Sequence, residues 1–206
     1  MPFIKPTKDG IKKWRWQFTV RELRTAYVAA RSSIDNELGR IDKDHKKFRR
    51  TPDPNPDDYD EVESYRAWED HLIDRWQEAQ SALAVIKQGF AVILYHSWER
   101  HSADWAGWKG NYRHHLVAPR LVKAGYLVTV GVHKLNKVAN CIKHGSDELW
   151  KQKDCRTMFD PIVAEMVNDD VRPDYARYLV LSDADMNGFF DALGDSGPPG
   201  PATFAL

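Results

Sequence analysis

Five polar residues of the segment Val130 to His144 fall on one side of a helical wheel: His133, Asn136, Lys137, Asn140 and His144. Leu135, Val138, Ala139 and Ile142 fall on the other. A face of imidazole, amide and ammonium groups can cleave RNA without a metal. An imidazole near its unperturbed pKa of about 6.5 takes the 2′-hydroxyl proton or protonates the leaving oxygen. Cations then stabilise the charge that gathers on phosphorus. In that chemistry His144 is the acid/base, Asn140 orients it or binds phosphate, and Lys143 neutralises charge. The same residues also have a structural use: Lys143 and His144 offset a helix dipole, and Gly145 is an ordinary helix stop.

A second polar face stands upstream. His96, Glu99 and Arg100 occupy i, i+3 and i+4 of a strongly apolar stretch. Glu99 and Arg100 either form structural ion pairs with neighbouring helices or join His144 in one site, with Arg100 as a further cation. The second outcome requires the two faces to meet.

The setting of both faces is electrostatically segregated. Trp105 to Ser146 contains no acidic residue over 42 positions but holds seven Lys/Arg and four of the eight histidines. Ten acids lie between Asp53 and Glu78, and more between Asp160 and Asp195, although the whole chain has a formal charge of zero. Local fields rather than net charge attract phosphates. The expected ligand is therefore RNA or another phosphate-bearing molecule, held by His133, Lys134, Lys137, Arg120 and Lys123.

Other chemistries find less support. Gly194-Asp195-Ser196-Gly197-Pro198 imitates the surroundings of a serine-protease nucleophile, but in a helical chain without the accompanying β-barrels. Asp183 to Asp191 matches part of a calcium loop whose twelfth position is Gly194 instead of Glu; Ser182 capping a helix explains the same acids. His114 and His115 are adjacent, and His96 and His101 are five apart, so neither pair is an i,i+4 metal site. No Walker or dinucleotide glycine pattern occurs, and no metal or cofactor is expected. Most tryptophans sit at helical spacing and read as core.

With 206 residues, 42% hydrophobic and 29% charged, the chain can fold as one domain around a sizeable core. Two cysteines, Cys141 and Cys155, give no disulfide framework. The basic start lacks the apolar core of a signal peptide, and no apolar run is long enough to span a membrane, so a cytoplasmic location is expected.

Helices must position these residues. Thr19 to Glu22 matches a capping box, followed by apolar residues at three- and four-residue steps to about Arg50. Pro52, Pro54 and Pro56 end that helix, and Asp58 with Glu61 starts the next. The two predict a helical hairpin, 19–50 and 58–80, projecting from a bundle core at 82–193. Ala82 to Trp98 is apolar on nearly every face, as in a helix buried all round, with Gly89 a point of bending or breakage. Helices over His114 to Lys123 and Val130 to His144 are closed by Gly125 and Gly145. Beyond Ser146 a short helix at 147–153, a strand at 177–181 and a last helix capped by Ser182 and Asp185 are expected, then an irregular tail at 194–206. The fold class is all-α.

The motifs Leu94-Tyr95-His96-Ser97-Trp98-Glu99-Arg100 and Val138-Ala139-Asn140-Cys141-Ile142-Lys143-His144-Gly145, with Leu149 and Phe159, resemble a group of small bacterial and prophage proteins. That group is similar to the HEPN superfamily. The resemblance covers about 83–190 and implies an antiparallel helical bundle, usually dimeric. In active members a metal-independent ribonuclease site forms across the dimer, with an Arg four to six positions before the catalytic His. His144 matches that histidine and Asn140 the polar position, whereas no Arg lies between Lys137 and Lys143.

Two functions are thus expected side by side. One is a HEPN-like RNase of toxin–antitoxin or phage-defence type, a cytoplasmic homodimer acting through His144. The other is a non-catalytic HEPN-like module that binds a protein or nucleic acid.

Overall fold

The computed structural model describes residues 7–169 and 171–199. Seven helices and no strand occur among them: α1 Lys8–Phe48, α2 Tyr59–Ala106, α3 His114–Lys123, α4 Val130–His144, a 3-10 helix Lys153–Met158, α5 Ile162–Asn168 and α6 Asp183–Asp195. The all-α expectation holds. None of the described helices is long and apolar enough to cross a membrane.

The chain divides into two compact units. One holds the residues up to Thr25 and those from Lys87 onward; the other is Ala26–Ile86. Both α1 and α2 contribute a stretch to each.

In the second unit the end of α1 meets the start of α2. Phe48 packs on Tyr65 at 4.5 Å and edge-on against Trp68 at 5.1 Å between ring centroids. Arg75 bonds Glu37 at 2.6 Å and Asp44 at 3.0 Å, and this pairing lowers the Glu37 pKa and raises that of Arg75. The proline-containing turn ends as its residues dictate: the Asp58 carboxylate accepts from Glu61 N–H at 3.1 Å, and Glu61 accepts from Asn55 N–H at 3.1 Å.

The first unit is built on an aromatic centre. Trp16 is fully buried, with ring centroids 5.7 Å from Trp98 and 5.6 Å from Trp105, and its indole donates to Leu193 O at 2.7 Å. Lys13, also buried, points its ammonium at the carbonyls of Gly194, Asp195 and Ser196, 3.3 to 3.5 Å away. A cation placed there complements the dipole of α6 and occupies carbonyls that the helix leaves unpaired. Helices α4 and α6 touch where Gly131 faces Ala192: a Cβ on Gly131 would collide with the Ala192 Cβ. Lys134 ties the same pair together, 3.0 Å from Asp185, and lies over the Phe189 ring.

Several expectations need correction. Helix α1 begins at Lys8 rather than Thr19, because Thr7 caps it by accepting from Gly10 N–H at 3.0 Å. The Thr19 hydroxyl bonds back to Arg15 O inside the helix, at 3.1 Å. Helix α2 runs unbroken over 48 residues through Gly89. It is not buried all round, since Val85 is 69% and Ile93 46% exposed. The helix expected at 147–153 is a turn preceding the 3-10 helix, and α5 was unforeseen. The strand at 177–181 reduces to one bridge between Phe159 and Leu179, too short a pairing to make a ladder.

The final helix starts as foreseen, with a full capping box between Ser182 and Asp185. The tail, by contrast, is partly ordered. Gly194 and Asp195 complete α6, and Gly197 bridges Leu127 at a φ of 112°, where a side chain would also meet Trp16 and Trp105. Residues 200–206 lie outside the described ones.

Candidate functional site

Helices α2, α3 and α4 enclose a cleft of about 760 Å³. Tyr95 and Glu99 come from α2, and Tyr112 and Arg113 from the loop before α3. His114, His115 and Pro119 come from α3; His133, Asn136, Lys137 and Asn140 come from α4. Glu148 closes the rim. The periodicity of α4 explains its share. Val132, Leu135, Val138, Ala139 and Cys141 are buried, so the opposite face is left to the cleft.

At the centre, His114 Nε2 and His133 Nδ1 stand 2.8 Å apart. At that distance one ring donates an N–H and the other accepts, so the couple shares a single proton between the facing nitrogens. A second proton would set two N–H groups against each other. Burial pulls the His114 pKa down to about 4, and His133 and His115 add repulsion. His133 is lowered by burial and then by Lys137. Both rings are therefore neutral near pH 7, and the ring that donates across the pair keeps its outer nitrogen free to accept a proton. The remaining nitrogen of His114, Nδ1, is buried and has no hydrogen-bond partner among the described residues.

The walls supply donors and acceptors. Asn140 donates to Asn136 at 3.2 Å. Arg113 precedes α3 without a side-chain cap, and the first turn of that helix carries no acid, so positive ends face the cleft. Pro119 inside α3 has no N–H, which leaves the His115 carbonyl without its helical partner. Tyr95 is pushed up well beyond the ordinary phenol value, and Tyr112 to about 12, chiefly by burial, so both remain hydroxyls. Ser102 and Tyr112 share a 3.0 Å bond behind the wall.

Of the residues singled out from sequence, Glu99, His133, Asn136, Lys137 and Asn140 meet in this cleft. The juxtaposition of the two faces thus occurs, but through Glu99 and Asn140 rather than through His144. His144, Lys143 and Arg100 are exposed and do not line it. His144 lies one turn past Asn140 on the same face of α4. Glu99 is bonded to His96 at 2.6 Å. Lys134 is committed to Asp185, and Arg120 and Lys123 stand exposed on α3 away from the lining.

Sequence reasoning missed His114, His115, Tyr95, Tyr112, Arg113 and Glu148. The signal for His114 was its place at the head of a helix within the acid-free segment. Its partner is 19 residues away, and no local periodicity reveals a pairing between helices.

The motifs set aside from sequence have structural explanations. Ser196 is buried, donates to Ala192 O at 2.7 Å and joins Thr129. Asp183 pairs with Lys87 at 2.9 Å, and Asp185 caps α6 while holding Lys134. Cys141 and Cys155 are free and buried, and burial raises Cys141 to about 11. Among the described residues no three His, Cys, Asp or Glu side chains converge to hold a metal ion.

No protein family's sequence profile matches this chain, and no curated protein or solved structure matches it significantly.

Proposed function

We propose that this protein binds RNA through the cleft between α2, α3 and α4 and cleaves it without a metal, as a HEPN-like ribonuclease. One observation carries the reading: a neutral imidazole couple, 2.8 Å apart, shares a cleft with Lys137, Arg113 and a linked pair of amides. The couple takes the 2′-hydroxyl proton through His133, the more exposed ring, while the freed 2′-oxygen attacks phosphorus. The bond from phosphorus to the 5′-oxygen breaks, and His115 on the rim returns a proton to that oxygen. The products are a 2′,3′-cyclic phosphate and a 5′-hydroxyl. Lys137 and Arg113 offset the charge on the non-bridging oxygens, and Asn136 and Asn140 supply neutral donors. His144 then acts as a contact for RNA running past the cleft, and the homodimer implied by the resemblance belongs to this reading.

The bond between Glu99 and His96 favours a second reading, a module that binds nucleic acid or protein without chemistry, because it occupies the nearest alternative base. Incubating the purified protein with structured and unstructured RNAs in EDTA separates the two. Cyclic-phosphate ends appearing in proportion to enzyme support the ribonuclease; salt-sensitive binding with intact RNA supports the module.

A further inference from the structure

Two residues beyond Glu148, on the same turn, Trp150 lines a second cleft of about 810 Å³ with Arg156, Thr157, Asp160 and Asn168. Trp150 is fixed edge-on against Phe159 at 5.5 Å, and Tyr175 lies 6.4 Å from it. The Arg156 guanidinium lies over the indole, 5.1 Å from the ring centroid, and its Nε donates to Trp150 O at 3.2 Å. That hydrogen bond holds an otherwise mobile side chain in place above the ring. The result is a fixed indole and guanidinium stack, with the guanidinium exposed to solvent. Nucleobases stack on aromatic rings and on guanidinium planes alike.

The rim is equally suited to a base edge. Asp160 accepts from Ile162 N–H with one oxygen, at 3.0 Å, and its second oxygen can receive an exocyclic amine. Thr157 and Asn168 offer a hydroxyl and an amide. The cleft falls within the size range of small-molecule sites.

We infer that this second cleft is a nucleobase pocket, and that single-stranded RNA is the ligand whose backbone lies in the first cleft while a neighbouring base stacks on Arg156 and Trp150. The inference rests on the proposed RNA reading and deepens it. Residues two apart along a chain are at most about 7 Å apart, so the linings of the two clefts approach each other at the turn that carries Glu148 and Trp150. A duplex has its bases stacked internally and cannot offer one to the pocket; a single strand can. Adenine, cytosine and guanine carry the amine that Asp160 accepts, so uracil is the poorest occupant.

The test compares binding of the protein, in EDTA, to a labelled adenine-bearing hexamer and to an abasic strand of equal length, both with methylated 2′-hydroxyls so that neither is cleaved. The wild type should bind the base-bearing strand about tenfold more tightly. Arg156→Lys keeps the charge but loses the planar group. Because Arg156 is exposed, the variant should keep the melting curve, lose the preference between strands and hold the abasic strand as before. Equal wild-type affinities for both strands, or a preference that survives Arg156→Lys, would overturn the pocket while leaving the first cleft intact. Failure of both strands to bind would overturn the RNA reading and the pocket with it.

Discussion

Replacing His114 with Gln should change how stability depends on pH. In the folded protein the imidazole titrates at about 4, against 6.5 for an ordinary histidine, because burial and its histidine neighbours oppose the charge. The unfolded chain therefore binds a proton over this interval that the folded chain refuses, and linkage sets the sign. The contribution is fully present above pH 6.5 and is lost as the pH falls towards 4. Taken at face value the difference corresponds to roughly 3 kcal/mol at 1.36 kcal/mol per decade. The ring is only half-buried, so solvent screening reduces this to about 1–2 kcal/mol. Gln fills similar space and can bond His133 but does not titrate. Urea melts of both proteins at intervals from pH 7.5 to 4.5 isolate the effect, since the carboxylates that also titrate there are common to both. The stability of wild type relative to His114→Gln should fall by about 1–2 kcal/mol across the window. A constant difference, or one that grows in favour of wild type as the pH drops, would refute the neutral couple.

Further expectations follow from the packing and the charges. Gly131→Ala should destabilise by about 1–3 kcal/mol through overpacking against Ala192, and adding Ala192→Gly should restore much of the loss, read from thermal melts. Lys137→Gln should weaken RNA binding and flatten its salt dependence by about one phosphate contact, whereas Lys134→Gln should mainly lower the melting temperature, because that ammonium holds Asp185. His144→Ala should leave the cleavage rate within a few-fold and change stability by no more than a helix-end charge does, about 0.3–1 kcal/mol, as kinetics and melts would show.

The legible parts of the fold were those whose cause is local. Gly145 at a φ of 61° closes α4 where expected, Ser182 and Asp185 cap α6, and the three prolines end α1. The start of α1 was misread because Thr19 to Glu22 has the composition of a cap, yet the turn before it is held helical by the tertiary contacts of Lys13 and Trp16. The candidate site divides in the same way. Wheel geometry alone placed His133, Asn136, Lys137 and Asn140 on one face of α4. It could not tell that α3 would bring His114 to that face, nor that the cleft would reach Asn140 and stop short of His144. The pairing of Lys134 with Asp185 was hidden for a related reason: the two are 51 residues apart.

The central claim is that the imidazole couple, rather than His144, moves the proton. Single-turnover cleavage of one RNA in EDTA by wild type, His133→Gln and His144→Ala tests it most directly. His133→Gln should slow cleavage by about 10² or more, while His144→Ala should remain close to wild type. Wild-type rates in His133→Gln together with inactivity in His144→Ala would contradict it.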